Sequence, residues 1–215
     1  MESKTNQAPH QPVKYDYRFK VIMLGDYGVG KTSTSFHYLH GEFKSTFKTT
    51  LGIDYEAKMV NYEDNIIKLL VWDYPGEEIG TSATRVYYTN AHGIIILYDV
   101  TNRSSFESID QYITDVRESS AFPNCQIVLF GNKSDNEEAR TVGYAEGFEL
   151  ASKNGATFYE GSAKEGVGIN EAFNALIGKM MAEAREGKFV EEKKPAFQHY
   201  PLKDPKITNK KDKCY

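Results

Sequence analysis

Phe19-Lys-Val-Ile-Met-Leu-Gly-Asp-Tyr-Gly-Val-Gly-Lys-Thr32 decides how the rest of the 215-residue chain is read. The first six residues are a short apolar run, broken only by Lys20, that reads as a buried strand. The last eight, Gly25 to Thr32, fit G-x-x-x-x-G-K-[ST], a loop built to hold a polyphosphate. Glycines let backbone N–H groups turn inward around the phosphates, and the helix that follows adds its positive N-terminal end. Thr32 to His40 has the composition of that helix. In this reading Asp26, Tyr27, Gly28, Val29, Gly30 and Ser33 line the loop and the first turn. Lys31 neutralises the β- and γ-phosphates, and Thr32 offers a hydroxyl to Mg²⁺.

The pattern outward from this loop is regular. Extended runs at Asp54–Tyr62 and Asn65–Trp72 are separated by Glu63-Asp64, which suits a tight hairpin turn. Gly93–Tyr98 is apolar throughout, as a strand buried on both faces must be. Strands are also expected at Gln126–Phe130 and Thr157–Tyr159. Helices are expected at Thr81–Ala91, Ser104–Ser120, Val142–Lys153 and Asn170–Arg185; Phe106, Ile109, Ile113 and Val116 supply the spacing of three and four in the second. Alternating strands and helices predict an α/β fold, a six-stranded mostly parallel sheet with one antiparallel hairpin strand and helices on both faces. Residues 17–187 form this domain, with a flexible arm at 1–16 and a flexible lysine-rich tail at 188–215.

Bulk composition narrows the function classes. The net charge of −4 is uneven: from Lys193 to Tyr215 seven lysines stand against two aspartates, which gives that stretch +5 and leaves −9 for residues 1–192. An acidic body argues against a nucleic-acid surface. Two cysteines, Cys125 and Cys214, cannot form a disulfide framework, and a reducing compartment is expected. Neither a signal-peptide core nor an apolar run near the roughly 20 residues of a membrane span is present.

Which nucleotide binds is a question for the loops after later strands. Gly131-Asn-Lys-Ser-Asp135 follows the strand at 126–130, and Gly161-Ser-Ala-Lys164 follows the one at 157–159. Both reach the carboxyl edge, where ligands of such sheets bind. The Asp135 carboxylate can accept from the N1–H and N2–H₂ edge of guanine, whereas adenine presents an acceptor at N1.

With these residues in order, the chain resembles the Ras-superfamily small GTPases, and most the Rab branch. Five motifs carry the likeness: Gly25–Thr32, Thr50, Asp73–Gly76, Asn132–Asp135 and Ser162–Lys164. The Rab leaning rests on Gly52-Ile-Asp-Tyr55, on Thr101 after Tyr98-Asp-Val100, and on Tyr87-Tyr88. The resemblance implies a P-loop NTPase G domain, a monomer, that binds GTP and GDP with Mg²⁺ and hydrolyses GTP. Such a protein acts as a switch in vesicle and membrane trafficking, on the cytosolic face of an intracellular membrane. Its partners would be a nucleotide exchange factor, a GTPase-activating protein and effectors.

Residue by residue, the likeness assigns Thr32 and Thr50 to Mg²⁺ directly and Asp73 through water. Thr49 is the alternative to Thr50 if the register slips by one. Phe43 would stack on guanine, or serve as a helix-flanking core residue. Asn132 and Lys133 tie the base pocket to the phosphate loop. Ala163 offers its N–H to the guanine O6, Lys164 lies along the base, and Ser162 belongs to the same loop. Gly76 contacts the γ-phosphate. Tyr55, Trp72 and Tyr87 match an effector-facing aromatic triad, against the alternative of packing between sheet and switch helix.

Two departures bear on the chemistry. The family places a glutamine after Asp-x-x-Gly to position water, and here that place holds Glu77. An ionised glutamate accepts hydrogen bonds but cannot donate one. Tyr27 puts bulk at a small-residue position of the loop. Catalytic roles therefore fall to Lys31, Gly76 and Glu77, with an atypical rate expected. Two rival classes follow: a binding module locked in one nucleotide state, acting as an interaction scaffold, and a nucleotide kinase. The second would need an acceptor site and an arginine-rich lid, for which the sequence has no segment. At the other end, Cys214 is penultimate, so the chain lacks C-a-a-X. One lipid on Cys214 plus the lysines would anchor the tail to a membrane reversibly; an unmodified tail is the alternative.

Overall fold

The computed structural model describes residues 14–44, 54–74, 88–119 and 125–189. Six strands run at Tyr17–Leu24 (β1), Asp54–Tyr62 (β2), Asn65–Asp73 (β3), Gly93–Asp99 (β4), Gln126–Asn132 (β5) and Thr157–Glu160 (β6). Helices span Lys31–His40 (α1), Arg103–Glu107 (α2), Ile109–Ser119 (α3), Tyr144–Lys153 (α4) and Ile169–Arg185 (α5), with a 3₁₀ turn at Glu137–Ala139. They form one sheet in the order β2-β3-β1-β4-β5-β6. Only β2 is antiparallel; Tyr62 pairs with Asn65 across the expected Glu63-Asp64 turn, where Glu63 takes a positive φ of 50°.

Alternation along β1 divides the core. Phe19, Val21 and Met23 face one side with Leu69, Val128 and Phe130, covered by Phe173, Leu176 and Met180 of α5. Ile22 and Leu24 face the other with Ile94, Ile96 and Leu129, covered by Ile109, Ile113 and Val116 of α3. This is the period-2 pattern that two covered faces require of a central strand. The side chain of Tyr38 from α1 stacks flat on Phe173, centroids 3.7 Å apart. Phe189, beyond α5, is buried edge-on against Phe19 and His92.

Two helix expectations are corrected. Ser104–Ser120 is not one helix: it breaks at Ser108. The Ser108 hydroxyl lies 3.1 Å from the Ser104 carbonyl and 3.0 Å from Asp26 Oδ2 and shares its one proton between them; the first contact is a back-bond of the kind that bends helices. α4 begins at Tyr144, two residues late, because Gly143 stays extended and its N–H donates to the Glu146 carboxylate at 2.9 Å. The expected helix at 81–91 lies largely outside the described residues. So do Thr49, Thr50, Pro75, Gly76, Glu77, Tyr87 and Cys214. Among the described residues, no helix is long and apolar enough to cross a membrane.

Candidate functional site

The chain reverses direction across the sheet between β1 and β4, and the phosphate loop leaves β1 at that point. Its glycines are demanded by geometry. Gly25 has φ 137° and Gly30 φ 98°. A Cβ on Gly25 would stand 2.3 Å from the Leu97 carbonyl oxygen, and one on Gly30 2.3 Å from the Asn132 amide nitrogen. Any side chain there would collide with β4 or with the base-side loop.

Lys31 opens α1 and curls back under the loop. Its ammonium donates to the carbonyls of Gly25 and Asp26, both at 2.8 Å. Burial lowers its pKa, and the nearby charges of Asp73 and Asp26 oppose that shift. Beside it the Thr32 hydroxyl donates to Asp73 Oδ2 at 2.5 Å, joining α1 to the end of β3. A hydroxyl and a carboxylate are the hard oxygen donors that Mg²⁺ takes. The described residues hold no cluster of three or more His, Cys, Asp or Glu able to cage a metal. Thr32 and Asp73 fit an ion that completes its shell with water and phosphate oxygens. Tyr27 stands 62% exposed at the rim of the loop, and Ser33 sits in the first turn of α1.

The other end of the site is knitted together by one buried amide. Asn132 donates from Nδ2 to the Val29 carbonyl at 2.8 Å and accepts at Oδ1 from the Ala163 N–H at 2.9 Å. One side chain thus binds the phosphate loop to the Ser162–Lys164 loop, and both its amide nitrogen and its amide oxygen have a partner where an unpaired group would be costly. Asp135 Oδ1 accepts from the Ser162 hydroxyl at 2.6 Å, while Oδ2 lies 3.6 Å from the Lys164 ammonium. The Ser162 hydrogen bond foremost, with Lys164 behind it, holds the Asp135 carboxyl below the ordinary carboxylate range. Ser162 also accepts at Oγ from the Glu165 N–H, which fixes its hydroxyl. Lys133, at φ 67°, sends its ammonium to Asp99 Oδ2 at 2.6 Å. Phe43 is 42% exposed.

The structure therefore brings together Asp26 to Thr32, Asp73, Asn132, Lys133, Asp135 and Ser162 to Lys164. Asp99 is a site residue that sequence reasoning passed over; an acid ending an otherwise apolar strand at this edge was the available signal. Of the aromatic trio, Tyr55 and Trp72 are cross-strand partners stacked at 4.6 Å. Tyr74 stacks on Trp72 at 6.2 Å, and the Lys20 ammonium lies 4.8 Å from the indole.

A phosphate-binding loop at the switch point, beside a loop set to read a base, defines a nucleotide-binding domain of the P-loop class. Residues 20–182 match the Ras family model. Ras-related protein Rab-3 of Caenorhabditis elegans is 40% identical over 79% of this chain and 78% of its own length. Human Ras-related protein Rab-3B is 38% identical over 82% and 80%, and Rab-13 of Mesocricetus auratus 36% over 91% and 96%. The chain belongs to the Ras family and, within it, to the Rab branch.

Proposed function

We propose that this Rab-branch protein is a GTP/GDP switch that binds guanine nucleotide with Mg²⁺ and hydrolyses GTP to GDP and phosphate. The observation that carries the reading is the Asn132 bridge, which sets an ionised Asp135 at a fixed distance from the phosphate loop. Phosphoryl transfer to water asks for charge neutralisation and a positioned nucleophile more than for a strong base. Lys31 supplies fixed positive charge at the loop. Thr32 and Thr50, with Asp73 through water, would hold Mg²⁺. That ion, when bound, neutralises charge on the phosphates. The N–H of Gly76 serves the γ-phosphate, and its contact would order the following segment in one nucleotide state and release it in the other. Glu77 takes the water-positioning place with acceptor capacity only. Tyr55, Trp72 and Tyr87 present an aromatic face to effectors, which read the nucleotide state. Exchange factors and GTPase-activating proteins set it, and the +5 tail, with or without a lipid on Cys214, holds the protein at the cytosolic face of an intracellular membrane during trafficking.

Titration of the purified protein with GTP, GDP and ATP tests the first part. Guanine nucleotides bind tightly and ATP weakly or not at all; equal affinity for GTP and ATP overturns the reading. Single-turnover hydrolysis tests the second. Glu77→Gln alters the rate constant, since it adds a donor and removes a negative charge beside the reacting phosphate. An unchanged rate would remove Glu77 from the chemistry. GTP that stays bound and intact however long the complex is incubated would identify a locked binding module instead.

A further inference from the structure

The phosphate loop is held from a direction that its sequence motif does not involve. The Asp26 carboxylate accepts two hydrogen bonds from the α2–α3 segment, Oδ1 from the Tyr112 hydroxyl and Oδ2 from the Ser108 hydroxyl, each at 3.0 Å. These partners lie 86 and 82 residues further along the chain. Tyr112 is buried, only 3% exposed. Burial first, then the Asp26 charge, pushes its phenol well above the ordinary range, so it stays a donor. Ser108 is the residue at which the helix breaks, and the break leaves its hydroxyl directed at Asp26.

The ground beneath these donors is stiff. α2 is capped by Asn102, which accepts from the Ser104 N–H at 3.1 Å. The buried Ser105 hydroxyl accepts from the Asp99 N–H and donates to the Asn102 carbonyl, pinning α2 to the end of β4. Asp99 in turn pairs with Lys133 of the base-side loop. Below them Ile109, Ile113 and Val116 are packed into the core. A run of hydrogen bonds and packed residues therefore connects the base-side loop to Asp26 through the α2–α3 segment.

We propose that Ser108 and Tyr112 are positioning residues whose grip on Asp26 holds the phosphate loop in its nucleotide-receiving shape and slows nucleotide release. The inference rests on the guanine-nucleotide reading above. Its logic is a matter of which contacts compete with the ligand. Lys31 also holds the loop, through the Gly25 and Asp26 carbonyls, but its ammonium is the group a polyphosphate draws upon. The Asp26 clamp uses donors that face no phosphate, so it persists with or without nucleotide. Its hydroxyls also occupy both oxygens of a carboxylate that would otherwise stand near the phosphate charge. Preorganisation of this kind lowers the cost of binding without adding a contact to the ligand.

The test uses the full chain, with Tyr112→Phe, Ser108→Ala and the double variant. Tyr98→Phe serves as control: it removes a buried phenolic hydroxyl that has no hydrogen-bond partner among the described residues. Two readouts are taken: release of fluorescent GDP, and amide hydrogen exchange of residues 25–30 in nucleotide-free protein. Loss of one hydrogen bond to a charged acceptor makes release roughly tenfold faster in Tyr112→Phe, and faster still in the double variant. The loop amides exchange faster while β1 and α3 do not change, and Tyr98→Phe matches wild type in both readouts. Release within about twofold of wild type, or unchanged loop exchange, overturns the clamp. A wild-type chain that binds no guanine nucleotide overturns the reading beneath it; loop exchange still decides whether the clamp exists.

Discussion

The two ends of the site are built on opposite electrostatic terms. At the base end, Asp135 is charged and its surroundings favour the charge: a serine hydroxyl first, then a backbone N–H and a lysine. At the phosphate end, Lys31 is charged and its surroundings resist it, because burial is the largest influence on it. Lys31 and Thr32 spend their donors on main-chain carbonyls and on Asp73, partners that phosphate and metal ion would replace. The base end is thus assembled before the ligand arrives. The phosphate end keeps a buried charge that a phosphate would stabilise. On the proposed guanine-nucleotide reading, specificity would belong to the first and most of the binding energy to the second.

Lys31→Met gives the largest expected effect and the most direct way to break this contrast. It removes a buried charge while keeping an unbranched chain of similar reach. Ligand-free stability in urea should therefore hold or rise. GDP and GTP affinity should fall by roughly a hundredfold or more, as charge-assisted contacts to the β-phosphate, and in GTP to the γ-phosphate as well, are lost. A ligand-free protein clearly destabilised by Lys31→Met would show that the carbonyl contacts outweigh burial, and the contrast would fail. Asp135→Asn tests the other end and should cost less. Asparagine keeps the shape and can still accept from Ser162, but it offers a donor where guanine also presents donors. Guanine affinity should drop roughly tenfold while ATP affinity stays level, narrowing discrimination from one side only. An equal loss for both nucleotides would make Asp135 a loop-packing residue.

What could be read from sequence follows the range of the interactions. Gly25, Gly30, Lys31 and Thr32 were legible because a strand–loop–helix unit is local and its chemistry is repeated in its spacing. Asn132 and Asp135 were legible as residue types at the right edge of the sheet. Their partners were not: Asn132 meets Val29 across 103 positions, and Ser162 meets Asp135 across 27. Tyr112 was hidden in a different way. On a helix with apolar positions every three or four residues, a tyrosine reads as core, and nothing local reveals that its hydroxyl reaches Asp26. The break at Ser108 was lost for a related reason: a serine is tolerated within a helix, and its back-bond becomes visible only with the coordinates. Lys20 joins the Trp72 stack because β1 and β3 are neighbours, a fact of topology that residue spacing does not contain.

The smallest expected effect is on stability against pH, and it separates the two ends by range and by cause. Both folded pKa values lie below the ordinary ones, and stability rises with pH through each. Asp135 in the folded chain titrates below its ordinary 3.8, so on acidification the unfolded chain takes up that proton first. Its contribution is complete above about pH 4 and is lost as pH falls from there through the lower folded value. Lys31 gives a slope of the same sign in the alkaline range, but there it is the loss of the charge that stabilises. Its folded pKa lies below 10.5, so between that value and 10.5 the unfolded chain holds the extra proton. Stability from this group therefore rises with pH in the alkaline range, as the penalty on a buried charge is relieved. Urea unfolding of ligand-free protein should show a shallower acid limb in Asp135→Asn and a flatter alkaline limb in Lys31→Met. Saturating GDP should remove the alkaline slope in wild type, because phosphate stabilises the ammonium and raises its pKa in the bound state. An alkaline slope that survived GDP would mean that Lys31 does not face the phosphates, and the two ends would lose the opposition described for them.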